Sequence, residues 1–259
     1  MKRDYSKAIF YLPRDTTAKA LGAQAVEKKL KSRGIEPIRN GSRGMFWLEP
    51  LLEVAVGNQR VAFGPVSPGD VDCLVDALRK DDAEAHPLYL GPVDKIGYLA
   101  NQQRLTFARA GHGDPLCLDN YQSLHGFNGL RNALEMSSQD IVSHIKDSGL
   151  RGRGGAAFPT GIKWQTVLDQ PEQQKYIVCN ADEGDSGTFA DRLLMEADPY
   201  QLIEGMTIAG IAVGATQGYI YLRSEYPAAL EVLNIAIERS NVAGFLGADI
   251  CGSGRTFHL

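Results

Sequence analysis

The sequence predicts an α/β protein in two parts, and three observations carry the prediction. Strand-like apolar runs alternate with segments whose apolar residues recur at helical spacing, as in sheets covered by helices. The pattern loosens over residues 81–122, where Pro87, Pro92, Pro115 and several glycines interrupt it. Beyond it, residues 149–164 hold five glycines and lead into further alternation of strand and helix. With 259 residues, 44% of them hydrophobic and 22% charged, the chain is long enough to bury one large core or two small ones.

Residues 8–12 are apolar and aromatic and fit a short buried strand. Thr16 or Thr17 can cap a helix running to about Ser32, with Ala20, Ala23, Val26 and Leu30 at helical spacing and Gly34 as its stop. Residues 35–39 form a second strand, and residues 51–56 and 60–63, separated by Gly57-Asn58, a hairpin. A helix over residues 70–78 turns Val71, Leu74, Val75 and Leu78 inward. The order β-α-β-β-β-α is compatible with a small thioredoxin-like domain over residues 1–80. Residues 81–122 read as a connecting region packed over the second domain. In it Ala110-Gly111-His112-Gly113-Asp114 is an ordinary turn, and His112 finds no ligating partner in sequence.

Residues 123–259 read as the second domain. Residues 131–135 and 138–146 are short helices, followed by the glycine-rich loop and a helix from Ile162 onward. Residues 175–179 make a strand ending at Asn180, residues 199–213 a mostly apolar helix, residues 218–222 another strand, and residues 226–239 a helix with Leu230, Leu233, Ile235 and Ile237 available for packing. This alternation indicates an α/β, Rossmann-like sheet domain. Residues 254–259 look like a strand begun and cut off, so the domain is expected to be incomplete at its C-terminus.

A net charge of −4 gives no electrostatic reason to expect nucleic acid. Met1-Lys2-Arg3-Asp4 leads into no apolar signal core, and the longest apolar stretch, around residues 206–215, is too short to span a bilayer, so a cytoplasmic location is expected. Cys73, Cys117, Cys179 and Cys251 are scattered without a C-x-x-C pair, which writes neither a zinc site nor an iron–sulfur cluster and leaves them as free thiols.

Residues 149–164 read Gly-Leu-Arg-Gly-Arg-Gly-Gly-Ala-Ala-Phe-Pro-Thr-Gly-Ile-Lys-Trp. The glycines let the backbone approach a ligand with no Cβ in the way, and Arg151, Arg153 and Lys163 add positive charge, the composition of a phosphate cradle. A following helix would aim its free N–H groups and positive dipole end at an anion, which would offset the unfavourable Lys163 in its first turn. The stretch from Gly152 to Ala157 also satisfies G-x-G-x-x-A. That fingerprint needs a strand before it, whereas Ile141, Val142 and Ile145 share a helical face. A Walker loop fails because Ile162 stands between Gly161 and Lys163.

About fifteen residues later the chain reads Cys179-Asn180-Ala181-Asp182-Glu183-Gly184-Asp185-Ser186-Gly187-Thr188-Phe189-Ala190-Asp191-Arg192. Together the two motifs resemble the flavoprotein subunit of respiratory complex I. They are also similar to the diaphorase subunits of NAD-reducing hydrogenases and of soluble molybdenum or tungsten formate dehydrogenases. The resemblance runs from about Ser123 to the end of the chain. It implies FMN and NAD as cofactors of an oxidoreductase that transfers hydride between NAD(H) and FMN and exchanges electrons with iron–sulfur centres. No catalytic nucleophile is required, because the cofactors react with each other. By resemblance Gly152, Arg153, Gly154, Gly155, Lys163, Asn180, Asp182 and Glu183 contact FMN, Phe158 and Asp185 face the NAD(H) dinucleotide, and Glu183 and Asp185 support the transfer.

An EF-hand reading of the acidic run fails, since Gly184 takes the fifth position and Asp185 the sixth, where glycine is required. Asp191-Arg192 reads as a structural ion pair or cap. The family's [4Fe–4S] cluster has its cysteine ligands in a later domain, and they are absent from this chain. The first domain resembles the ferredoxin-like thioredoxin fold in which four cysteines hold a [2Fe–2S] cluster. Here the corresponding loops read Pro13-Arg14-Asp15-Thr16-Thr17 and Asn40-Gly41-Ser42-Arg43-Gly44, without cysteine. A cluster-less first domain most resembles the beta subunit of a soluble NAD-dependent formate dehydrogenase. The partners implied are its molybdenum or tungsten catalytic subunit and a small thioredoxin-like [2Fe–2S] subunit. The alternative is an assembly module that keeps the fold without flavin.

Overall fold

In the computed structural model, which describes residues 8–57 and 59–259, the first apolar run pairs as strand β1 (Ile9–Tyr11). Met1-Lys2-Arg3-Asp4 and the hairpin residue Asn58 lie outside the described residues. The chain divides into two units, one of Met1–Cys117 with Leu193–Asp198, the other of Leu118–Arg192 with Pro199–Leu259.

In the first unit the expected helix is two helices, α1 (Thr16–Ala20) and α2 (Ala23–Ser32). Gly22, at φ +104, breaks the run, and its left-handed conformation starts the second helix. The cap is Asp15, one residue before the expected threonines; its carboxylate accepts from the N–H groups of Thr17 and Ala18. Thr16 is engaged elsewhere, its hydroxyl donating to Glu196 at 2.7 Å. The expected strand at residues 35–39 reduces to a parallel bridge between Ile38 and Tyr11. Pro37 lacks an N–H and shortens the ladder.

Strands β2 (Leu52–Val56) and β3 (Gln59–Phe63) form the expected antiparallel hairpin, in register from Leu52↔Phe63 to Val56↔Gln59. Helix α3 (Val71–Arg79) buries Val71, Leu74, Val75 and Leu78. These close one core with Leu12, Val26, Leu30, Val54 and Phe63, where each large side chain contributes roughly 1.5–3 kcal/mol. An unexpected strand β4 (Tyr89–Pro92) completes the sheet order β1-β2-β3-β4, and a short helix α4 (Gly97–Ala100) follows. Of the residues 81–122 read as a connecting region, those up to Cys117 cluster with the first unit, where β4 and Val93 extend its core.

The second unit contains α5 (Leu118–Ser123), α6 (Asn128–Leu134), α7 (Ser138–Asp147), α8 (Thr160–Leu168), β5 (Tyr176–Ala181), α9 (Ala190–Ala197), α10 (Pro199–Val213), β6 (Gln217–Leu222) and α11 (Pro227–Val242). Residues Leu193–Ala197 of α9 cluster with the first unit. Strands β5 and β6 are parallel, from Tyr176↔Gln217 to Ala181↔Leu222, joined through the apolar α10, whose Ile203, Met206, Ile211 and Val213 are buried. His258 forms a parallel bridge with Gln217 on the other side of β6. Phe257 is fully buried against Gly210 of α10 and Gly218 of β6; a Cβ at either would meet its ring at 2.4 and 2.7 Å. Among the described residues no helix is long and apolar enough to cross a membrane.

Candidate functional site

Residues 149–164 fold as a closed loop that delivers the chain into α8. Arg151 and Pro159 form an antiparallel bridge, and the Gly152 N–H donates to the Phe158 carbonyl at 2.9 Å. The Thr160 N–H donates to the Leu150 carbonyl, and the Arg151 guanidinium to the Ala157 carbonyl, each at 2.9 Å. These bonds pin the neck, leaving Arg153, Gly154, Gly155 and Ala156 exposed at the tip. A Cβ at Gly154 or Gly155 would meet nothing within 4 Å, so the backbone there is open to a ligand. Gly155 at φ +88 uses the left-handed region that glycine reaches without strain, and Ala157 at φ +50 shares it at some cost.

Helix α8 begins after Pro159 with no side chain capping it; the Leu150 carbonyl takes the Thr160 N–H, and the Gly161 and Ile162 N–H groups of the first turn have no hydrogen-bond partner among the described residues, which suits an anion. Lys163 is exposed on this turn. Neither the Lys163 ammonium nor the Arg153 guanidinium has a hydrogen bond or ion pair among the described residues. Two unpartnered cations beside an open glycine backbone and an uncapped helix N-terminus suit a phosphate group. Phe158 is 49% exposed, which leaves its ring able to stack on a planar group.

The connection from α8 to β5 spans only residues 169–175, and the Lys175 ammonium donates to the Leu168 carbonyl at 3.0 Å. The end of β5 carries Asn180, whose Oδ1 accepts from the Asp182 N–H at 3.2 Å, and then exposed Asp182 and Asp185. Loops at the carboxyl ends of parallel strands are where such sheets bind ligands.

Glu183 is engaged differently from its neighbours. At φ +43 its carboxylate accepts from the Asp191 N–H at 2.8 Å, the Arg192 N–H at 3.0 Å and the Tyr226 hydroxyl at 2.9 Å. Its carbonyl accepts from Arg223 at 2.7 Å. Glu183 therefore caps α9 and ties the acidic loop to the ends of β6 and α11. Asp191 and Arg192, expected to pair or cap, contribute the backbone N–H donors of this cap. The Arg192 guanidinium lies 4.0 Å from the centre of the Phe189 ring. Burial and then Glu183 push the Asp191 carboxyl up, burial and then Asp191 push the Cys179 thiol up, and burial and then Glu183 push the Tyr226 phenol up. Tyr226 and Arg223 were missed in sequence because both lie about forty residues from Glu183 and carry no motif. Among the described residues no group of three or more histidine, cysteine or acidic side chains could hold a metal ion.

Over residues 145–256 the chain matches the family model described as the Nuo51 FMN-binding domain. The NADP-reducing hydrogenase subunit HndC of Solidesulfovibrio fructosivorans is 48% identical over 158 residues, covering 61% of this chain and 32% of the relative. The F subunit of the NADH-quinone oxidoreductase of Aquifex aeolicus is 48% identical over 137 residues, 53% of this chain and 32% of the relative. Its counterpart in Escherichia coli is 46% identical over 157 residues, 60% and 35% of the two chains. Among solved structures, a chain of the NAD+-reducing [NiFe]-hydrogenase in the H2-reduced state aligns with 91% of this chain and 40% of its own at 23% identity and a TM-score of 0.42. The chain spans about a third of the length of the curated relatives it matches. The likeness is to NADH-binding FMN diaphorase subunits.

Proposed function

We propose that this chain, with its segment of the Nuo51 FMN-binding type, holds FMN within an NAD(H)-dependent diaphorase subunit of a multi-subunit oxidoreductase. The observation that carries the reading is the open glycine loop with the unpartnered Arg153 and Lys163 at the uncapped start of α8. Gly152, Gly154 and Gly155 would let backbone N–H groups approach the flavin phosphate, and Arg153 and Lys163 would neutralise it. Asn180 and Asp182 offer polar groups to the rest of the flavin, with Glu183 holding their loop in place. Phe158 would stack on the adenine of NAD(H), and Asp185 would accept from the dinucleotide. When bound, the flavin supplies the chemistry, taking up a hydride and passing electrons on singly. The protein binds, orients and tunes it.

The finer reading is a soluble NAD-dependent formate dehydrogenase, with a molybdenum or tungsten subunit and a thioredoxin-like [2Fe–2S] subunit as partners. The cysteine-free loops at residues 13–17 and 40–44 support it. An anaerobic ultraviolet–visible spectrum, with and without FMN and NADH, tests the reading. A flavin band bleached by NADH and weakened in K163Q is expected; no band after FMN is added to the intact oxidoreductase subunit would leave the chain as an assembly module. Formate reducing the flavin in the assembled complex is expected for the finer reading, and reduction by hydrogen alone would overturn it.

A further inference from the structure

A second site lies in the first unit, in a cavity of about 510 Å³ lined by Arg43, Arg60, Arg104, Lys95 and His112. Arg43 and Arg60 share one carboxylate, the fully buried Glu53. Arg43 grips it with Nε and Nη2 at 2.7 and 3.1 Å, and Arg60 Nε lies 2.7 Å from its Oε2 as an ion pair without hydrogen-bond geometry. Asp94 is 3.7 Å from the Lys95 ammonium. Four cations thus face two carboxylates, an excess of two positive charges around a cavity.

The donors are also under-used. Nη2 of Arg60 and Nη1 of Arg104 are buried without a hydrogen-bond partner, and Arg104 makes no ion pair among the described residues. Such orphaned cationic donors are costly unless something accepts from them. Burial and then Arg43 and Arg60 pull the His112 imidazole down to about 4, so it adds no charge at neutral pH. Gly111, at φ +90, packs so closely that a Cβ would meet the Arg43 side chain at 2.7 Å, which fixes the His112 turn against the guanidinium. Val93, Leu99 and Phe107 give the cavity an apolar wall. A volume of this size suits a small molecule.

We propose that this cavity binds a compact organic dianion, a phosphate monoester or a dicarboxylate, through Arg104, Arg60 and Lys95, with its carbon skeleton against Val93, Leu99 and Phe107. None of the residues lining the cavity belongs to the glycine loop, and the proposal does not rest on flavin binding.

Calorimetric titration of the full chain with inorganic phosphate, AMP and succinate tests this, in a background of R153Q/K163Q that removes the cations of the glycine loop. Saturable binding of at least one probe is expected to persist there. R104Q should weaken it by about tenfold or more. Because the Arg104 guanidinium makes no hydrogen bond or ion pair among the described residues and meets the protein only through the Phe107 ring, 5.9 Å away, R104Q should melt close to the parent, and K95Q provides a second, exposed substitution with the same direction of effect. Binding should raise the His112 pKa in an NMR titration. The preferred probe separates phosphate esters from dicarboxylates. No saturable binding at millimolar concentration, binding unchanged by R104Q and K95Q, or binding only of an acidic peptide would overturn the proposal.

Discussion

Glu183 shows why a residue singled out by a motif has to be weighed in its packing. Its carboxylate receives two backbone N–H groups and the Tyr226 hydroxyl, so it stabilises the loop whether or not a ligand is bound. E183A should lower stability by about 1–2 kcal/mol through the lost cap and the stranded hydroxyl, and E183Q by less because its amide oxygen still accepts. The check is the urea midpoint; an E183A midpoint equal to the parent's would show that the cap contributes nothing. Arg153 and Lys163 should behave in the opposite way. With no protein partner, R153Q and K163Q are expected to change stability by no more than about 0.5 kcal/mol, K163Q even gaining slightly because a cation leaves a helix N-terminus. Each should still weaken FMN binding by about tenfold, measured by quenching of flavin fluorescence.

At the scale of elements, the loop and α8 are held by a close approach. A Cβ on Gly161 would meet the backbone nitrogen and Cα of Lys146 in α7 at 2.6 and 2.7 Å, so the two helices touch through a glycine. G161A should cost about 1–3 kcal/mol in overpacking despite alanine's better helix propensity, whereas G154A, which meets nothing, should be close to neutral. Paired thermal melts check this, and equal midpoints would mean that α7 and α8 move apart freely. These elements were legible in the sequence because α7, β5 and β6 keep one period over their length, α8 follows directly on the glycine loop, and α10 is an apolar run long enough for a helix. Strand β4 was not, because Gly91 and Pro92 erase its alternation and an edge position tolerates them. Helix α9 was not, because its cap comes from Glu183, several residues before it. The glycine loop and Lys163 were legible, since chain-local composition encodes them, but the ties of Glu183 to Arg223 and Tyr226 were not. The charged cavity was equally hidden: Arg43, Arg60, Arg104 and His112 come from four separate segments that only the fold brings together.

At the scale of the whole molecule, two groups in the first unit, the buried Glu49 and the solvent-exposed His112, make stability depend on pH in opposite directions. Glu49 is pushed up to about 8, chiefly by burial and then by Asp15, although Ser42 and the Leu51 N–H hydrogen-bond to it and favour its charged form. Its folded pKa exceeds its unfolded value of 4.5, so the stabilisation it gives is full below about pH 4.5 and is lost as pH rises toward 8. His112, held neutral down to about 4 against an ordinary 6.5, acts the other way: its contribution is full above 6.5 and is lost as pH falls toward 4. Between pH 4.5 and 6.5 the two oppose each other, and between 6.5 and 8 Glu49 acts without His112. The chain should therefore lose stability from pH 6.5 to 8, by an amount on the order of 1–2 kcal/mol. E49Q should flatten that decline, and H112Q should leave it intact while reducing the loss on the acid side. Urea denaturation at half-unit pH steps, followed by circular dichroism, reads all three profiles. A parent profile that is flat from pH 6.5 to 8, or one whose decline survives E49Q unchanged, would remove Glu49 as its cause.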